Sequence, residues 1–320
     1  MSLDANIERM MYGSRWDRVK NNLQENWKNY LWKGTIYTSL LFTLATTACS
    51  GLIGKTKEET KETVPITQIT QVPETTVVET TAPETKPVSF YDNIDEKIRF
   101  NVEDGMFPDF WYKAPYNAKA ESLNPSEIER SKNILIKVLK KYPEDVLAKN
   151  LSKIYVLNYL GFYGVEAGGT DSLDSVYLEN KGENNGFDSV WIEKIFHAEF
   201  SSILLVNYNS LFNKQAWINI NPNDFKYVSD TGIEAVINGK DSSTFDPKLN
   251  EIGFLYEYAQ SSLENDFNSF AKNIFVNDTY FWEAIDKYPK IKAKNDLVID
   301  FYNKINPKFT LAYFKQISQQ

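Results

Sequence analysis

Residues 55–87 read KTKEETKETVPITQITQVPETTVVETTAPETKP. The run is built from Thr, Glu and Pro and has no aromatic residue and no glycine. It cannot bury enough apolar surface to offset the conformational entropy of ordering it. It therefore predicts an extended, disordered tether. That tether divides the 320 residues into an N-terminal segment (1–54), a linker (55–88) and a single folded domain (89–320).

The N-terminal segment has no charged residue from Gly34 to Gly54, and Lys33 and Lys55 bracket the gap. Inside it lies GTIYTSLLFTLATTACSG, a short apolar run that ends in small residues before Cys49. That is the shape of a signal-peptide core and cleavage site. Ala48 before Cys49 and the Leu-rich approach resemble a bacterial lipoprotein signal, in which the cysteine is lipidated and becomes the mature N-terminus. Thr46 departs from the aliphatic residue usual there. The rival reading is an uncleaved anchor, since the stretch reaches the roughly 20 residues a span needs. Its basic side would then be cytoplasmic. Either way, the domain is expected outside the cytoplasm, held to the membrane by lipid on Cys49 or by a hydrophobic anchor.

The single Cys49 excludes an internal disulfide framework and any cysteine-based zinc cluster. His197 is the only histidine. A metal site would therefore be rich in carboxylates, which favours Ca²⁺ or Mg²⁺ over Zn²⁺. With a net charge of −8 and no basic patch, nucleic acid is not an expected partner.

In the domain, Asn124-Pro125 opens a helix, with Asn124 as N-cap, Pro125 in the first turn and Glu127 closing a capping box. Ile128, Leu135, Val138 and Leu139 form its apolar stripe. A strand is expected over Lys153–Tyr159, a turn or bulge at GVEAGGTDS, and a second, edge strand over 173–179. A helix over 188–206 follows, then a loop-rich stretch (219–250), a helix at SLENDFNSFAKNIF and a last one from Pro289. Helices and strands interleave without strict alternation, so the expected class is α+β.

The helix WIEKIFHAEFSSILLVNY (191–208) carries the histidine. On a helical wheel Ile192, Ile195, Phe196, Ile203 and Val206 share an arc of about 80°, with Glu199 at its centre. A carboxylate centred on an apolar stripe is unusual. The plain reading is a core glutamate bonded to backbone or to a lysine or arginine. The functional one starts from His-Glu-x-x-His, where two histidines one turn apart hold zinc and the glutamate activates its water. With Glu199 as that glutamate, the ligand positions are Ala198 and Ser202, and neither is a useful zinc ligand. His197 lies round the helix, on the outer face, and an i,i+4 pair with Glu193 is its plain role. Ser201 and Ser202 lack the histidine partner that a nucleophile needs.

FHAEFSSIL (196–204) resembles the motif helix of a family of zinc-binding metallopeptidase lipoproteins with a zincin fold. The likeness extends over about residues 125–317. KKYPEDVLAKNLSKIYVL, GVEAGGTDSLDSVYLEN, GFLYEYAQSSLENDFNSFAKNIF and KYPKIKAKNDLVIDFYNKI come in the family's order. The resemblance implies a zincin-like α+β fold and, in active members, one zinc whose third ligand is acidic and comes from an EDFAE segment. Here that segment is ENDFNS: Asp266 matches the family's Asp, and Ser269 replaces its last Glu.

The expectation is therefore a zincin-like scaffold without zinc chemistry and without a cofactor, in which Glu199 is a vestigial general base. The cleft between the strand 173–179 and the helix 188–206 would bind a peptide or glycan, or only fill space. The alternative is an active metal-dependent hydrolase with a rearranged site drawn from Glu199, Asp266, Glu264 and Glu166 or His197, or an acid pair working without metal.

Overall fold

The computed structural model describes residues 89–228 and 232–319. The expectations for the N-terminal segment, Cys49 and the linker lie outside the described residues. From Ser89 the helices are α1 (Ile94–Lys97), α2 (Ile128–Leu139), α3 (Glu144–Asn150), α4 (Ser189–Asn207), α5 (Lys214–Ile220), α6 (Ile233–Ile237), α7 (Pro247–Ile252), α8 (Leu263–Ile274), α9 (Thr279–Lys287), α10 (Pro289–Ile305) and α11 (Leu311–Ile317). The strands are β1 (Ile98–Arg99), β2 (Lys119–Ser122), β3 (Lys153–Phe162), β4 (Val165–Glu166), β5 (Gly169–Asp171) and β6 (Ser175–Glu179). The protein is α+β, with helices packed on a mixed six-stranded sheet. Among the described residues no helix is long and apolar enough to cross a membrane.

β3 organises the sheet. Its first half pairs in parallel with β1 on one side and with β6 on the other. Its second half pairs antiparallel with β2 and β4. Period-two alternation sends successive β3 side chains to opposite faces. Ile154 and Val156, with Val176 and Leu178 of β6, join the main core under the helices. Tyr155 and Leu157, with Tyr177, face the other way and are covered by Met106 and Phe107. Because Tyr155 and Tyr177 are in register on parallel neighbours, their rings stack at 5.1 Å.

Two strand expectations are corrected. The strand in 173–179 is Ser175–Glu179, and it is interior, not an edge: β3 flanks it on one side and β5 on the other. All five of its residues are buried, which fits a strand covered on both faces. GVEAGGTDS is more than a turn. It contains β4 and β5, and β5 ends the β3–β6–β5 side of the sheet.

Local signals set the helix starts. Asn124 accepts from Ser126 N at 3.1 Å with Pro125 in the first turn. Glu127 does not close the box; it pairs with Arg130 at 2.5 Å. Asp188 caps α4 by accepting from Trp191 N at 2.7 Å, and Ser262 caps α8 by accepting from Asn265 N at 3.0 Å. α4 runs between the sheet and α8, so it is buried over far more than one stripe. Ile192, Phe196, Phe200 and Ile203 enter the core, Ala198, Ser201 and Ser202 are also buried, and Val206, placed on the stripe by the wheel, is 61% exposed.

Candidate functional site: a carboxyl cluster between α4, α8 and β5

Glu199 lies half-buried on α4 where that helix crosses β5. The approach is close. A methyl group on Gly169 would sit 2.4 Å from Ile195 Cγ2 and 2.8 Å from Glu199 Oε1. Only a residue without Cβ lets β5 come so near. Asp171, two residues on, and Glu264, reaching in from the exposed side of α8, complete a group of three acids that sense one another's charge.

Burial, then repulsion from Glu264, raises Glu199 to about 8, with Lys272 working against the rise. Burial raises Asp171 well above the carboxylate range, and Glu199 and Glu264 add to it. Burial also raises Glu264, opposed by a hydrogen bond with Ser202. Like charges gathered where water reaches them only in part resist ionising together, so near neutral pH the cluster holds on to a proton. Tyr258, just ahead of α8, is pushed upward by burial and then by Glu199.

Ala198 and Ser202, the positions at which the resemblance implies ligands, both lie on α4. Ala198 is buried and offers no donor. Ser202 accepts from Asn268 Nδ2 at 2.8 Å and bonds Glu264. Ser201 reaches Asn268 Oδ1 and, at 2.7 Å, Ala198 O. Ser201, Asn268, Ser202 and Glu264 thus stitch α4 to α8 with neutral and carboxyl groups. The donor set does not fit zinc. Positions 198 and 202 carry no nitrogen, and the Ser202 hydroxyl is engaged. Among the described residues no three His, Cys, Asp or Glu side chains are placed to hold a metal ion.

His197 is fully buried, which corrects its placement on the outer face. Its Nδ1 lies 2.7 Å from Tyr142 Oη, its Nε2 3.3 Å from Glu193 Oε1, and its ring stacks on Phe275 at 4.3 Å. The neutral tautomer with the proton on Nε2 satisfies both partners. Burial lowers the His197 pKa despite Glu193. Glu193 drops to about 2, because bonds from His197 and from Lys141, at 2.7 Å, outweigh its burial. This is a structural knot beneath α4, and the expected Glu193–His197 pair is part of it.

Asp266 and Ser269 are drawn into a separate arrangement. Asp266 is fully buried, and its Oδ2 accepts from Lys294 Nζ (2.6 Å), Tyr227 Oη (2.6 Å) and Trp217 Nε1 (3.0 Å). Ser269 donates to Asp266 O at 2.6 Å. On α8, Glu264 and Asn268 are one turn apart and face α4, whereas Asp266 lies about 200° round from Glu264. As a third ligand beside Glu199, Asp266 is replaced by a buried ion pair with α10. Glu166 is also elsewhere, in contact with Lys181 near Glu179.

The wheel missed Asp171, Asn268 and Tyr258. Asn268 was within reach of sequence reasoning, being i+4 from Glu264 on a capped helix. Asp171 was not, because nothing local marks β5 as the strand beside Glu199.

No family model matches the chain, and no curated protein does. Among solved structures it is similar to a Bacteroides caccae protein described as a "putative zinc-binding metallo-peptidase". The identity is 15% and the TM-score 0.42, over 70% of this chain and 84% of that one.

Proposed function

We propose that this chain is a zincin-like domain that has given up zinc chemistry and serves as a non-catalytic binding protein, tethered to the outer side of a membrane. One observation carries the reading. The helix that resembles a zinc-site helix keeps its glutamate beside the end strand of the sheet, while both ligand positions are filled by groups that cannot bind zinc. The family resemblance of the segments around it supports the same view.

The ligand is an extended peptide laid along β5. Ladder contacts at Gly168 O and Ser172 N turn those residues' polar groups toward β6. By alternation the groups of Gly169 and Asp171 point outward, where a peptide strand can pair. A basic side chain brought beside Asp171, Glu199 and Glu264 would relieve their mutual repulsion and let them ionise, which favours a peptide that carries one.

The test uses the purified full chain. Elemental analysis should find no stoichiometric zinc, and a chelator should leave the unfolding temperature unchanged. Basic extended peptides should bind, and Asp171→Lys should abolish that binding. Stoichiometric zinc with a chelator-sensitive melt overturns the reading.

A second reading, a metal-free hydrolase working through an acid pair, is favoured by the coupling of Asp171 and Glu199, which sets one carboxyl to hold a proton beside another. It requires peptide or ester hydrolysis that Glu199→Gln abolishes. Hydrolysis unaffected by that change would reject it.

A further inference from the structure

On the far side of the sheet from the helices, residues 106–118 read MFPDFWYKAPYNA. Met106 and Phe107 are buried against Tyr155, Leu160 and Tyr177 and so complete the second core. The next layer of rings is left uncovered. Phe110 is 54% and Tyr112 47% exposed, and they are the only aromatic residues among the exposed large apolar side chains of the described residues. Phe110 meets Tyr116 edge-on at 5.5 Å, and Tyr116 meets Tyr163 at 5.2 Å.

Backbone strain gathers at the same place. Among the described residues only two other than glycine have positive φ, Asn117 (47°) and Tyr163 (56°). They flank Tyr116, whose carbonyl accepts from Tyr163 N at 2.6 Å. Tyr163 sits at the apex of the two-residue β3–β4 hairpin, where Asn or Gly is the normal choice. A bulky residue held in the left-handed region is strained. Strain of this kind clusters at functional sites.

We propose that this aromatic surface binds a neutral glycan. A pyranose offers C–H faces to the electron-rich faces of aromatic rings, and its hydroxyls need planar hydrogen-bonding groups at the rim. Asp109 and Asn117 are exposed in the same loop as the rings and supply such groups. The charge balance argues against an anionic lipid surface: Asp104 and Asp109 outnumber Lys113 along residues 104–117. The surface is separate from the Glu199 cluster, so the inference does not depend on the peptide reading.

The experiment uses the full chain in native affinity gels containing amylopectin, galactomannan, xyloglucan or mixed-linkage β-glucan. Titration calorimetry with the matching oligosaccharides follows. Phe110→Ser and Tyr112→Ser remove exposed rings. Tyr163→Asn removes the half-buried ring that supports Tyr116, at a position whose backbone suits asparagine; relief of strain offsets the lost packing, and the melting temperature of this variant is compared with the parent's. The expected result is retardation by at least one polysaccharide, weakened about tenfold by Phe110→Ser and by Tyr163→Asn. Absence of retardation on all four overturns the proposal, as does retardation that neither variant changes. Co-sedimentation with phosphatidylcholine–phosphatidylglycerol vesicles that Phe110→Ser abolishes would also overturn it and assign the rings to a membrane.

Discussion

Glu199 is raised to about 8 in the folded protein and returns to the ordinary range near 4.5 on unfolding. The folded state therefore holds a proton that the unfolded chain gives up. Its contribution is complete below about pH 4.5 and is lost as pH rises through about 8. Glu199→Gln, neutral throughout, should flatten that loss. Thermal unfolding from pH 5 to 8.5 should show the variant gaining on the parent by roughly 2 kcal/mol at the alkaline end, after allowing for partial solvent access. A constant difference across the range would mean that Glu199 is ionised in the fold. His197 acts in the opposite sense, since its lowered pKa costs stability as pH falls below about 6.5 in parent and variant alike, so the difference reports Glu199 together with the relief it gives Asp171. Gly169 offers a second check. Its missing Cβ is what lets β5 lie against Ile195 and Glu199. Gly169→Ala should cost about 1–3 kcal/mol in denaturant titration; a neutral result would show that β5 can shift away freely.

At the scale of elements, α8 has two polar faces with different duties, and separate substitutions distinguish them. Lys294→Met should cost about 3–5 kcal/mol, because it strands a fully buried Asp266. Adding Asp266→Leu should recover most of that loss, leaving the Glu199 cluster unchanged in its pH response. The element boundaries that were legible in the sequence are those with local chemistry: Asn124-Pro125 before α2, Ser262 before α8 and Pro289 opening α10. What was not legible is set by distant partners. β5 is three residues in a glycine-rich run, too short for any period, and exists because β6 offers it a ladder. Asp266 matched a motif position, but its direction is decided by Lys294, 28 residues further on. The single stripe read on α4 failed because the helix is covered by the sheet and by α8 at once, so burial follows neighbours rather than hydropathy. Glu199, by contrast, was visible as a carboxylate in the wrong place, and the structure puts it at the centre of the acid cluster.

For the whole molecule, the composition of residues 55–88 and the approach to Cys49 argue for a domain held off a membrane on a long tether. The expectation leaves the mode of attachment to be decided. A lipid on Cys49 leaves the domain free to turn at the end of the tether; an uncleaved anchor keeps the basic residues 1–33 on the inner side as well. Expression of the full chain in a bacterial host separates the two. If Cys49 is lipidated, the protein should enter the detergent phase on phase separation, with an intact mass lacking residues 1–48 and carrying the acyl mass. Cys49→Ser should then accumulate at the precursor mass. If the anchor is uncleaved, membrane association and a mass that includes residue 1 should survive Cys49→Ser, and that outcome would reject the lipoprotein assignment while leaving the domain's two surfaces to be judged by their own tests.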